Sequence, residues 1–126
     1  MPFIQIKSLP MKESLNIPLV IAAIAQDFSD QVGTELSHIH TTWEFFQPGY
    51  YAKGSKTADV QPETNHPLIV DLLTPDSDSQ DKINLMLRTI AESISRQASF
   101  PVNNIFINYR QAHSAMVFDD GEIVQW

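Results

Sequence analysis

Pro2 lies one residue behind the initiator methionine, and removal of Met1 would turn its nitrogen from an amide into a secondary amine at the chain terminus. Such an α-amine has a pKa near ~8, and modest burial or a neighbouring cation brings it toward neutrality, where it can act as a general base. While Met1 is attached, that chemistry is absent. Late in the chain, Arg110 offers a planar guanidinium able to hold a carboxylate bidentately and to steady a developing enolate, with Asn108 two residues before it. Tyr50, Tyr51, Lys53 and Lys56 crowd one polar stretch of an acidic chain, a composition suited to covering an anionic ligand.

Other groups read differently. His38 and His40, with Glu44, fall on one face of an expected strand at about 7 Å spacing, a distance two metal ligands can use, but no third ligand accompanies them. No metal is expected. His66 and His113 lie in loops with no evident partner. Asp76, Asp78 and Asp81 gather at a helix start, where the helix dipole favours acids, and neither their spacing nor a glycine matches a calcium loop. The serines lack a nucleophile-elbow context, and there is no phosphate-cradling glycine loop.

The elements that must position these groups follow from periodicity. Phe3, Ile4 and Ile6 predict a short strand buried on both faces, ended by Ser8-Leu9-Pro10. Ile17, Val20, Ile21, Ile24, Phe28 and Val32 form the stripe of a helix, with Asn16 as N-cap, Pro18 in the first turn and Gly33 as stop. Ile39, Thr41, Trp43 and Phe45 alternate with His38, His40, Thr42 and Glu44, as in a strand with one face in the core. Residues 47–66 read as a long loop, a candidate lid. A buried strand at Pro67–Leu73 then turns at Thr74-Pro75. Ser77 and Gln80 have the form of a capping box before a second helix striped by Ile83, Met86, Leu87, Ile90 and Ile94, which Phe100-Pro101 closes. Val102–Arg110 is strongly β-prone, and residues 115–126 read as a hairpin around Asp119-Asp120-Gly121.

The two halves superpose at an offset near 65, Pro2-Phe3-Ile4 over Pro67-Leu68-Ile69 and His40–Phe45 over Ile105–Arg110. That predicts an α/β (α+β by some schemes) single domain over 1–126: βαβ units at about 2–46 and 67–110, a four-stranded mixed sheet with two helices on one face, and a C-terminal hairpin. The uncovered face, read as apolar on the first and third strands, calls for a neighbouring subunit.

Composition narrows the partners. The 126 residues are 43% hydrophobic, enough for one core, and there is no cysteine for a disulfide or thiolate site. No charged start precedes an apolar run, which points to the cytoplasm, and no stretch suits a membrane span. With 15 acidic against 8 basic side chains the net charge is −7, and the cations are scattered, so nucleic acid is not an expected partner.

The Met-Pro start running straight into a strand, together with Phe106-Ile107-Asn108-Tyr109 late in the second unit, resembles the tautomerase superfamily. That superfamily includes oxalocrotonate tautomerase, carboxymethyl-hydroxymuconate isomerase and macrophage migration inhibitory factor. The resemblance implies a homotrimer with active sites between subunits, Pro2 as proton-transferring base, Asn108 lining the pocket, and Phe106 where a relative has a pocket tyrosine. The lysine which that relative places after the glycine ending the first helix is absent, since this chain has Gly33-Thr34. Arg110 is the expected substitute.

The expected function is cofactor-independent keto-enol tautomerisation of a small keto or unsaturated carboxylate. Pro2 and Arg110 would be catalytic, Asn108 and Phe106 would contact substrate, and Tyr50, Tyr51 or Trp126 would wall the pocket. The competing class is a non-enzymatic binding or assembly module of the same fold; a His-dependent metal protein is a third.

Overall fold

The structure, a computed structural model, describes residues 1–126. Strand β1 (Phe3–Ser8) leads to helix α1 (Ile17–Val32), a 3-10 turn (Leu36–His38) and β2 (His40–Phe45). A small hairpin, β3 (Tyr51–Lys53) with β4 (Lys56–Ala58), precedes the second unit. That unit is β5 (Leu68–Pro75), α2 (Gln80–Ala98), a 3-10 turn (Val102–Asn104) and β6 (Ile105–Ala112). A hairpin of β7 (Val117–Asp119) and β8 (Glu122–Val124) ends the chain. The main sheet has the order β2-β1-β5-β6, with β1 antiparallel to β5 at its centre and a parallel strand outside each.

Both helices cover one face. Ile4, Ile6, Leu68, Val70 and Leu72 meet Val20, Ile24 and Phe28 of α1 and Ile83, Met86, Ile90 and Ile94 of α2 in one cluster. These are the centres of the stripes read from the sequence, whose other members Ile17, Ile21, Val32 and Leu87 are only partly buried. Asn16 caps α1 by accepting from the Leu19 N–H at 3.3 Å, and Gly33 ends it at φ +84°, a left-handed conformation that costs glycine nothing. The cap of α2 differs from expectation: Ser79, not Ser77, accepts from the Lys82 N–H. The C-terminal turn places Asp120 (φ +49°) and Gly121 (φ +82°) at its centre, the geometry of a two-residue hairpin.

Structural equivalence sets the repeat at 66 residues rather than 65. Gly33 and Ser99 are the two left-handed C-caps, and Ser29 and Ser95 each donate to the carbonyl five residues on. The Trp43 indole donates to Ser8 Oγ at 3.0 Å just as the Tyr109 hydroxyl meets Thr74 Oγ1 at 2.6 Å. An offset of 65 would turn every strand residue to the wrong face, because side chains alternate with period two. So Pro2 corresponds to Leu68, not to Pro67.

The uncovered face is also not apolar as expected. It carries Phe3, Gln5 and Lys7 from β1, His40, Thr42 and Glu44 from β2, Ile69, Asp71 and Leu73 from β5, and Phe106, Asn108 and Arg110 from β6, paired in three rows. Gln5 is exposed, so β1 is buried on one face only. Phe45 is exposed rather than part of the core. Thr74 and Pro75 continue β5 instead of turning. His38 lies in the 3-10 turn beside Glu35, and His40 stacks on Phe3 with ring centroids 4.2 Å apart, so the two histidines do not share a strand. Residues 47–66 are anchored: Gln61 accepts from the Leu9 N–H, and its side chain donates to the His66 carbonyl.

One polar knot ties the helices together. Asp27 on α1 accepts from Ser93 (2.7 Å), Gln97 (3.2 Å) and Arg96 (2.8 Å) on α2. Burial raises its pKa, but these hydrogen bonds and the guanidinium charge outweigh it and hold the carboxyl below its usual range. A depressed carboxylate stabilises the fold above its unfolded-state pKa, and that contribution is lost as pH falls through the folded value. Asp27→Ala strands the buried Ser93 hydroxyl and removes a charged acceptor, so we expect about 1.5–3 kcal/mol lower stability at neutral pH. Urea midpoints measured from pH 7 to 2 should then decline less steeply in the variant below about pH 4.

Candidate active site

Pro2 sits where β1 begins, buried, with its carbonyl accepting from the His40 N–H at 2.9 Å. A proline suits this place because no N–H is required of the first residue of a strand. The antiparallel register puts Phe3 opposite Leu73, so Pro2 comes opposite Thr74. Around it is a hollow of about 180 Å³ lined by Met1 and Pro2, Thr34 after α1, Thr74, Pro75, Ser77 and Asp78 at the end of β5, and Lys82 and Met86 of α2. The start of one strand, the end of its neighbour and the ends of both helices converge there.

Thr74, Asp78 and Lys82 are not among the catalytic or binding residues expected from the sequence. Lys82 Nζ lies 3.1 Å from Asp78 Oδ1, and Thr74 Oγ1 donates to Asp78 Oδ2 at 3.1 Å. Lys82 is thus the cation lining this hollow, with its charge balanced by Asp78. In the sequence, Asp78 reads as a helix-start acid, and Lys82 is one of the scattered cations. Only the antiparallel pairing of β5 with β1 brings them to Pro2.

The repeat makes a counterpart at the other end of the sheet, but it is filled differently. Leu68 takes the place of Pro2 and is fully buried, and Phe100 takes the place of Thr34. The hollow there, about 250 Å³ and lined by Met11, Lys12, Gln61 and Phe100 among others, does not reach Leu68. A further groove of about 220 Å³ between the helices has its Arg96 already engaged by Asp27.

The remaining expected site residues are dispersed within one chain. Arg110 and Asn108 lie on the uncovered sheet face, both turned to Asp71: Arg110 Nε at 3.7 Å and Asn108 Nδ2 at 3.4 Å from Oδ1. Pro2 shares the helix-side alternation of Ile4, so neither lines its hollow. Phe106 is on the same uncovered face, paired with Ile69 toward the far end. Tyr50 and Tyr51 do not wall the Pro2 hollow of their own chain. They come after β2, whose C-terminal end is roughly 20 Å from Pro2 at the rise of a strand. There the Tyr51 hydroxyl donates to the Pro67 carbonyl at 2.7 Å, and the ring packs edge-on against His66 and Phe46; burial raises the hydroxyl pKa.

Trp126 does return to the Pro2 end. Its indole N–H donates to Asp76 Oδ1 at 2.8 Å, while His113 Nδ1 meets Asp76 Oδ2 at 2.9 Å. These two hydrogen bonds, Trp126 first, lower the Asp76 pKa. Asp76 lies between Pro75 and Ser77 of the hollow, so Trp126 is fastened near it without lining it.

No family model matches the chain, and no curated protein matches it. Solved structures do. A protein designated Pt0534, inactivated by 2-oxo-3-pentynoate, superposes with TM-score 0.81 at 9% identity, over 97% of this chain and 94% of that one. A fused 4-OT described as an asymmetric trimer gives TM-score 0.81 at 9% identity, over 96% and 94%. Macrophage migration inhibitory factor from Oncomelania hupensis gives 0.75 at 10% identity, over 99% and 83%. With tandem βαβ units, a four-stranded mixed sheet and these neighbours, the chain has the fold of the tautomerase superfamily.

Proposed function

We propose that the protein, once freed of Met1, is a cofactor-independent tautomerase of small keto or enol carboxylic acids, with Pro2 as its proton-transferring base. The observation that carries this reading is the placement of Pro2: buried at the start of β1 and open to a polar hollow, at one end only of a repeat whose other end has Leu68 instead. The superposition with fused 4-OT and macrophage migration inhibitory factor adds the fold on which such chemistry is known.

A homotrimer completes the reading. The face bearing Arg110, Asn108 and Phe106 has no helix over it, and the β7–β8 hairpin projects Met116 (82% exposed) and Phe118 (71%). In this proposal a second copy covers that face, and its Arg110 and Asn108 reach the substrate carboxylate while Trp126 stays fastened beside the hollow. Tyr50 and Tyr51, placed at the far end, could meet a substrate only at another copy's hollow. Arg110→Met should then lower kcat/KM for a carboxylate substrate about ten- to a hundred-fold, mainly through KM, as expected when a charged hydrogen-bond donor is lost.

The test is the initial rate of enol-to-keto conversion of phenylenolpyruvate and 2-hydroxymuconate, comparing protein shown by mass to begin at Pro2 with protein retaining Met1. Turnover confined to the processed form supports a proline-dependent tautomerase. Equal background rates would overturn it for these substrates and favour a non-enzymatic binding or assembly module, a reading to which the exposed apolar hairpin also lends itself.

A further inference from the structure

The geometry points to Asp78 as a second proton-transfer group of the Pro2 hollow, the one that handles the substrate oxygen while Pro2 handles carbon; this rests on the proline reading above. Asp78 is the only carboxylate lining the hollow, and its side chain is 11% exposed. Both of its oxygens are held: Lys82 Nζ lies 3.1 Å from Oδ1, and the Thr74 hydroxyl donates to Oδ2. Thr74 is itself buried, and its hydroxyl also lies 2.6 Å from the Tyr109 hydroxyl, where either group can donate, and 3.3 Å from the Pro75 carbonyl. The charged groups that line the hollow with Asp78 are Lys82 on α2 and, once Met1 is removed, the residue 2 amine just ahead of β1; Tyr109 on β6 lies behind Thr74, and the segment after α1 contributes only the neutral Thr34. An aspartate that lines the same hollow as the residue 2 nitrogen suits the enol-to-keto direction. It accepts the enol O–H proton, and the O–H pair becomes the carbonyl π bond. The C=C pair then takes a proton from the protonated Pro2 nitrogen to form the new C–H bond. The keto acid leaves with Asp78 protonated and Pro2 neutral, and a proton passes back through solvent to restore both.

The test is the pH dependence of kcat/KM for phenylenolpyruvate in protein beginning at Pro2, for wild type, Asp78→Asn, Asp78→Glu and Pro2→Ala. Asp78→Asn is expected to lose about a hundredfold, a typical acid–base contribution, and to lose the rise in rate on the acidic side, with Asp78→Glu regaining part of both. Asp78→Asn within about threefold of wild type and keeping its acidic limb, while Pro2→Ala has collapsed, overturns the assignment and leaves the proline reading standing. Full activity in Pro2→Ala overturns both. A second measurement needs no turnover: NMR titration of the Pro2 amine. Loss of the Asp78 charge should move that titration to lower pH, and Lys82→Met, which leaves Asp78 unbalanced, should move it higher. A titration unmoved in both variants overturns the assignment.

Discussion

Protein that begins at Pro2 is expected to turn over phenylenolpyruvate, and protein that retains Met1 is expected to lose that activity by about 10²- to 10⁴-fold, the usual contribution of a positioned general base. The loss is large because an amide nitrogen has no available lone pair, whereas the same nitrogen as a secondary amine does. Pro2→Ala should fall less far, toward the lower end of that range. It keeps a terminal amine, but a primary one free of the ring that fixes the nitrogen at the hollow. Neither change disturbs the hydrogen bond from the His40 N–H to the residue 2 carbonyl, so the sheet remains intact. Thermal midpoints close to wild type would therefore separate lost chemistry from lost structure. Comparable rates in all three proteins would remove Pro2 from the mechanism.

The largest expected loss of stability is at Phe28. It is fully buried on α1, in the cluster that joins α1, α2 and the sheet. Phe28→Ala leaves a cavity that both helices and β1 would have to collapse into, which costs about 3–5 kcal/mol. Against a total stability of about 5–15 kcal/mol, that is enough to leave the variant partly unfolded near physiological temperature. Urea unfolding should show a much lower midpoint with an unchanged slope. A midpoint within a few tenths molar of wild type would mean that α1 is held elsewhere, with the Asp27 knot the obvious place to look.

Most of this architecture was legible because its signals are local. The stripe from Val20 to Phe28, the Asn16 cap and the Gly33 stop each depend on residues within a turn of one another. The repeat was visible but slipped by one, because the matching Pro2 and Pro67 drew the alignment to 65. The true register is fixed by tertiary hydrogen bonds, Ser8 with Trp43 and Thr74 with Tyr109, which have no sequence signature. Polar residues on β1 and β5 were passed over for the same reason: Gln5 and Asp71 face each other only once those strands pair. Pro2 stands out as a candidate from the Met-Pro start together with the strand and repeat that follow it. Asp78 and Lys82 do not, since their proximity to residue 2 depends on strand direction. Tyr50 and Tyr51 lie away from the Pro2 hollow of their own chain for that reason too, because β2 runs parallel to β1 and delivers the next stretch of chain to the opposite end of the sheet.

The central pairing of β1 with β5 also bears on how the chain finds its structure. Each βαβ unit closes a short loop and can bury its own parallel pair early, but the seam between the units joins residues such as Ile6 and Val70 that lie far apart in sequence. The entropy of closing that long loop must be spent before the seam returns any contact energy. Folding is then limited by the meeting of two partly formed halves, and an unmet half would present the unpaired edge of β1 or β5, a ready template for the matching strand of another chain.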